Sequence, residues 1–269
     1  MHPILFTLGP VTLYTYGVML VVAFLTSTWL AVRAARRLPP QLIAVTPEQL
    51  VDFACLVLLG GIVGGRLLYV ILSWEFFRRA PQEIPAIWHG GLVWYGGFLG
   101  GVFAGWLYIR SKRLVFLRVL DQFIPFLALG HALGRLGCFL NGCCYGKPTD
   151  AWCGVTFVGQ SERVLPTQLF EAAGLVLLFG LLRRLQQPRY LGRPGWLFGL
   201  YLGSYAVLRF FVEFLRGDQP IWWRGLTLPQ LMSLVMWLAG CALLVRAMQK
   251  GDGAHLPVRR RAGRIRTAS

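Results

Sequence analysis

The sequence predicts an all-α, polytopic membrane protein with seven transmembrane helices, N-terminus outside and C-terminus in the cytoplasm. Three observations carry that expectation. The 269 residues are 56% hydrophobic and only 14% charged, whereas a soluble domain carries about 25% charged residues. The apolar residues fall into continuous runs near the ~20 residues that cross a bilayer core, without the alternation of barrel strands. Lys and Arg, finally, divide unevenly between the two sets of connecting segments.

The runs cover 11–30, 50–73, 92–109, 117–138, 166–182, 195–215 and 226–245. The first is too long for a signal h-region and has no basic segment before it, so it reads as a span and not as a cleavable leader. The second and third carry Gly60-Gly61-x-x-Gly64-Gly65 and Gly96-Gly97-x-x-Gly100-Gly101. Within apolar spans, small residues at this spacing point to close helix packing and not to a phosphate loop. Gly90-Gly91 and Gly96-Gly97 are also candidate breaks at the outer end of the third span. The fourth and sixth runs hold arginines, the fifth opens on Pro166, and the seventh is uninterrupted.

With the N-terminus outside, eighteen of the 27 Lys and Arg residues fall in cytoplasmic segments, six in outside segments and three inside spans. That threefold bias sets the orientation. It also gives the formal net charge of +16 a topogenic meaning. Nucleic acid is not an expected partner, since zinc-finger spacing, stacking platforms and a separate basic domain are all missing from the sequence. The expected organisation is one membrane domain over 1–250, with an outer-face arm at about 73–91 and an outer loop at about 141–165. A basic cytoplasmic tail over 251–269, containing Arg259, Arg260, Arg261, Arg264 and Arg266, suits contact with anionic membrane lipid.

Ionisable side chains inside spans are costly, about 2.5–3.5 kcal/mol near the centre, and so mark sites. Arg66, Arg135, Glu171, Arg209 and Glu213, together with Tyr16, all fall towards the outer leaflet on the predicted helices. Asp52 and Asp121 fall near cytoplasmic ends and read as boundary residues. Tyr201, Tyr205, Arg209 and Glu213 recur every four residues, which makes one polar stripe on one helix face. Three arginines against two glutamates leave a positive excess suited to an anionic headgroup, and the arginine fork binds phosphate bidentately.

The segment Gly134-Arg135-Leu136-Gly137-Cys138-Phe139-Leu140-Asn141-Gly142-Cys143-Cys144-Tyr145-Gly146 resembles the G-R-x-G-N-F-x-N-x-E-x-x-G signature of prolipoprotein diacylglyceryl transferases. Tyr16-Gly17, Gly64-Gly65-Arg66, the Gly96 run, Pro166-Thr167-Gln168-Leu169-Phe170-Glu171 and Tyr205 with Arg209-Phe210-Phe211-Val212-Glu213-Phe214 are similar to further family motifs, in family order. The resemblance implies an enzyme of the bacterial inner membrane that moves a diacylglyceryl group from phosphatidylglycerol to the lipobox cysteine of a prolipoprotein signal peptide, releasing glycerol-1-phosphate. Arg135 would grip the headgroup, Arg209 would stabilise the leaving phosphate, and Glu213 would orient Arg209. Tyr16, Arg66, Asn141, Gly146, Glu171 and Tyr205 would line the pocket. No cofactor is implied.

This chain departs from the pattern at three places. Tyr95 stands where the family has a histidine before its Gly-Gly, and Cys138 and Cys143 replace the signature Asn and Glu. His89, before Gly90-Gly91, is the candidate replacement base beside Tyr95; alternatively the arginine field itself lowers the substrate thiol's pKa. Cys143 or Cys144 paired with Cys153 is the expected staple of the outer loop in an oxidising compartment. No metal is expected, because histidine is sparse and no paired C-x-x-C occurs. The competing readings are a diverged relative acting on another lipid or acceptor, and a thiol oxidoreductase using the outer cysteines. A transporter lacks the expected repeat halves, and Ser204 lacks the elbow of a serine hydrolase.

Overall fold

In a computed structural model, residues 4–8, 11–217 and 220–251 are described. Most of the proposed tail, 252–269, lies outside them. A short hairpin of β1 (Ile4–Leu8) and β2 (Val11–Tyr14) leads directly into α1 (Thr15–Ala35). There follow α2 (Pro47–Leu72), the short α3 (Trp74–Arg79), α4 (Trp94–Ser111) and α5 (Phe116–Asn141). The second half holds α6 (Thr167–Leu185), the single turn α7 (Pro188–Leu191) and α8 (Trp196–Phe214). A hairpin of β3 (Ile221–Trp223) and β4 (Leu226–Thr227) then turns the chain into α9 (Leu228–Gly251).

The chain is thus a multi-pass, mainly helical membrane protein. Five helices, α1, α2, α5, α8 and α9, are long and apolar enough to cross a bilayer, and at most a third of each apolar window is buried within the protein. Side chains such as Leu25, Leu59, Leu67 and Leu238 are therefore exposed, as lipid-facing residues must be. The helices on the other two apolar runs, α4 and α6, are less apolar for visible reasons. The glycines and aromatic ring atoms of α4 lower its hydropathy, and α6 carries Glu171, Arg183 and Arg184.

Local chemistry explains the ends. Thr46 and Gln49 form a reciprocal capping box before Pro47 at the start of α2, which satisfies two otherwise orphaned N–H groups. Gly142 ends α5 in the left-handed region (φ 75°), with Cys143 N–H returning to the Cys138 carbonyl at 3.1 Å, the arrangement of a Schellman stop. The break before α4 falls at Gly90 (φ 83°) and Gly91 (φ 78°), while Gly96 and Gly97 lie inside the helix.

The glycine runs do pack helix on helix. A Cβ added to Gly60 would stand 2.8 Å from the Gly100 carbonyl oxygen, and one added to Gly100 would stand 2.9 Å from the Gly64 Cα. Such distances leave no room for a methyl group, so α2 and α4 meet backbone to backbone. Gly100→Ala is expected to force these helices apart and to lower the yield of monodisperse protein in detergent several-fold. Alanine at Gly203, which meets nothing within 4 Å, is the matched control.

Helix α5 is the central element. It supplies Val119 and Phe126 to a core with Ala31, Leu50, Phe53 and Tyr108. It also supplies Ile124, Ala128 and Ala132 to a second core with Leu175, Leu182 and Leu197. Asp121 corrects the expectation of a boundary residue. It is 1% exposed, and its carboxylate accepts hydrogen bonds from the Gly195 and Phe198 N–H groups at 2.6 and 2.8 Å. It therefore caps the positive N-terminus of α8 from across the bundle. Removing a buried charged acceptor strands both donors, so Asp121→Ala is expected to cost about 3 kcal/mol. A lowered melting temperature in detergent, with Asp121→Asn intermediate, would show it.

Candidate active site

The sequence-predicted polar residues gather at one end of the bundle, where α1, α4 and α6 begin and α2, α5 and α8 finish. Glu171, in the second turn of α6, is 1% exposed and is the hub. Its Oε1 accepts a hydrogen bond from the Tyr205 hydroxyl at 2.9 Å. The same oxygen lies 3.0 Å from Arg135 Nη2 and 3.8 Å from His131 Nε2. The His131 ring stands edge-on to Tyr205, with centroids 4.9 Å apart, and Tyr205 stacks on Tyr201. His131 and Arg135 are four residues apart on α5, so helical geometry sets them on one face.

A second buried acid, Glu213, lies 2.7 Å from Arg209 Nη1 and 3.9 Å from Arg216 Nε, and accepts a hydrogen bond from the Thr227 hydroxyl at 3.0 Å. Tyr205 and Arg209 share the α8 stripe, so the two acids form neighbouring stations along it. Three arginines thus surround two carboxylates. The arginines beside these two acids are Arg135, Arg209 and Arg216, and Arg66 is not among them. The Arg135 Nε is buried and has no hydrogen-bond partner among the described residues. It is a donor suited to an anionic oxygen.

Arg66 is used otherwise. All three guanidinium nitrogens donate to backbone carbonyls of the arm: Nε to Ile84 at 2.9 Å, Nη1 to Gly90 and Gly91 at 2.6 and 3.2 Å, and Nη2 to Glu83 and Ala86 at 2.5 and 3.1 Å. Its guanidinium also lies over the Phe77 ring. A fork so occupied holds the arm's irregular backbone in place and has no donor left for a phosphate. Arg66, expected from the sequence to line the headgroup site, thus stands against the arm and not with the Glu171 cluster.

Tyr95 does not join the Glu171 cluster. It is 56% exposed on the first turn of α4, with its ring against Trp94. His89 closes the short turn Ile87–His89 of the arm that Arg66 clamps. Tyr16, in the first turn of α1, packs beside Gly137 of α5, where a Cβ would come within 3.3 Å of its ring. Asn141 is the last residue of α5. Gly146 sits where a Cβ would meet the Leu215 carbonyl at 2.6 Å and Thr167 Cγ2 at 2.8 Å, so it is a crossing point of three segments. An open cleft of ≈ 440 Å³ lies just beyond, lined by Tyr145, Lys147, Gln160 and Glu162 among others; it belongs to the loop between α5 and α6, not to the charged cluster.

His131 is absent from the residues that the sequence singles out, although it stands inside the fourth apolar run one turn before Arg135. The signal was its place in the run; its meaning depends on Glu171 arriving from another helix. The cysteines also rearrange. All six are free thiols, so the expected staple with Cys153 is not formed. Instead the Sγ atoms of Cys138, Cys143 and Cys144 lie within 4.8 Å of one another.

Buried arginines buttressed by carboxylates at one end of an apolar helical bundle are chemistry suited to an anionic group in a membrane protein. The comparisons narrow that class. A family model described as "Prolipoprotein diacylglyceryl transferase" matches residues 3–246. The chain is 37% identical over 268 residues to the phosphatidylglycerol–prolipoprotein diacylglyceryl transferase of Pseudoalteromonas atlantica, covering 95% of this chain and 92% of that one. It is 36% identical to the protein of the same name from Chromohalobacter salexigens, covering 90% and 91%, and 34% identical to that of Clostridium tetani, covering 81% and 86%. The chain belongs to the prolipoprotein diacylglyceryl transferase family.

Proposed function

We propose that this protein transfers the diacylglyceryl group of phosphatidylglycerol to the lipobox cysteine thiol of prolipoproteins, as a seven-span enzyme of the bacterial inner membrane with its N-terminus outside. The single observation that carries the reading is the Arg135–Glu171 pair with its unpartnered Arg135 Nε, set in a family whose relatives bear that activity in their names. The positive-inside count supports the orientation, and it places the charged end of the bundle at the outer surface, where signal peptides emerge. By the same reading, residues 1–250 form the membrane domain and the basic tail stays in the cytoplasm.

The chemistry is a displacement. The cysteine sulfur forms a bond to the glyceryl carbon while the bond from that carbon to the phosphate oxygen breaks. Glycerol-1-phosphate leaves with the electron pair, and the thiol proton must go to a base. Arg135 binds the phosphate through Nε and Nη, with Glu171 holding the guanidinium in place. Arg209, steadied by Glu213, meets the charge that grows on the leaving oxygen, which is where preorganised donors contribute most. His131 is the base. A neutral imidazole within 3.8 Å of the Glu171 carboxylate accepts the proton, and the carboxylate stabilises the resulting imidazolium. Tyr95 and His89 are then not required as bases.

Expression in cells depleted of their own diacylglyceryl transferase tests the reading. Rescue of growth, with thioether-linked diacylglycerol on a reporter lipoprotein, is the expected result. An unmodified reporter, both in those cells and with purified protein, phosphatidylglycerol and a lipobox peptide, would leave the diverged-relative reading in its place.

A further inference from the structure

Cysteines 138, 143 and 144 take no part in the displacement described above, yet they are drawn together at its edge. Cys138 is buried in the last turns of α5. The Schellman stop at Gly142 turns the chain back, and the Cys143 thiol donates to the Cys138 carbonyl at 3.7 Å. Cys144 adopts the left-handed region (φ 65°), a conformation that non-glycine residues seldom take. With that turn all three sulfurs come within 4.8 Å of one another. Their carbonyls are held from outside: Gln168 Nε2 donates to the Cys143 oxygen at 2.7 Å and the Thr167 hydroxyl to the Cys144 oxygen at 3.0 Å. Both donors belong to the first turn of α6, Gln168 three and Thr167 four residues before Glu171.

We propose that Cys138, Cys143 and Cys144 form a three-thiolate site for a single thiophilic d10 cation, best fitted by Cu(I). Sulfurs bound at about 2.3 Å to one ion lie roughly 4 Å from each other, so thiols already within 4.8 Å need only close inwards. Soft thiolate ligands select Cu(I) and Zn(II) among biological metals. Among the described residues no histidine, carboxylate or fourth cysteine joins the group, and a three-coordinate sulfur set suits Cu(I) better than four-coordinate Zn(II). Binding releases to solvent one proton for each thiol still protonated. The ion would cross-link the end of α5 to the turn that the first turn of α6 holds, and so steady the base of the Arg135–Glu171 pair. The site stands apart from the transferase reading and its test does not use that activity.

Full-length protein is purified in detergent under reducing conditions and titrated separately with chelator-buffered Cu(I) and with Zn(II), followed by metal analysis and X-ray absorption. One Cu(I) per chain in an all-sulfur, three-coordinate shell is expected. Bound Cu(I) should protect these three thiols, and not Cys153, from alkylation. Cys138→Ser and Cys144→Ser should each weaken binding by more than ~100-fold, the upper range even for an outer-shell change, whereas the Cys55→Ser/Cys241→Ser double variant should bind as the wild type does. The wild-type absorption and alkylation results stand even where a variant fails to fold. The assignment is overturned if Cu(I) is not bound, if Zn(II) binds more tightly in a four-coordinate shell, or if alkylation in intact cells shows two of the three cysteines joined in a disulfide.

Discussion

Arg135→Ala is expected to lower diacylglyceryl transfer by at least ~10³-fold, measured as thioether formation on a lipobox peptide with purified protein. Loss of one preorganised donor to a developing charge costs about 10²–10³, and Arg135 supplies binding to the phosphate as well. A complication is that the change also strands Glu171, which is 1% exposed. Breaking a buried pair by removing one partner costs about 3–5 kcal/mol of stability. Arg135→Lys separates the two effects. Lysine keeps a positive charge beside Glu171 but has no planar fork, so a stable lysine variant with activity still down by about two orders of magnitude would assign the loss to headgroup recognition. A fully active Arg135→Lys protein would show that only charge is needed and would remove the bidentate grip from the mechanism.

His131→Ala is expected to reduce the rate constant of transfer by about 10²–10⁴, the usual contribution of a positioned base, with little change in the concentration of phosphatidylglycerol needed for half-maximal rate. Tyr95→Phe should fall within a factor of about two of the wild type, because Tyr95 is exposed and turned to Trp94. This pair of variants discriminates sharply. Loss in Tyr95→Phe with retention in His131→Ala would return the base to α4. A second check uses pH. If His131 is the base, raising the pH enough to ionise the lipobox thiol directly should restore much of the His131→Ala rate, but should restore nothing to Arg135→Ala.

Much of the molecule is legible in one dimension because membrane spans announce themselves by composition. Each of α1, α2, α4, α5, α6, α8 and α9 lies on one of the seven apolar runs, within a few residues. The Gly60 and Gly96 runs were readable as packing surfaces, since small residues inside apolar segments have few other uses. The Tyr205–Arg209–Glu213 stripe followed from a spacing of four. Each of these is a property of one segment read along its own axis.

What the tertiary structure decided is which buried charge meets which partner. Arg66 and Arg135 look alike in sequence, each an arginine beside glycines late in an apolar run. One spends its fork on the carbonyls of an irregular arm, and the other faces a carboxylate and has an Nε without a hydrogen-bond partner among the described residues. Asp121 looked like a boundary acid until the N-terminus of α8 was brought against it. His131 meets Glu171 and Tyr205 only because they arrive from two other helices, and Cys144 reaches Cys138 only through a left-handed turn. The sequence by itself determined the apolar helical segments and their polarity pattern, because those follow from transfer of local segments into an apolar medium, and its motifs pointed to the family. The pairing of polar groups within that medium is non-local and depends on distances of a few ångströms between helices far apart in the chain, so it was settled only by the fold.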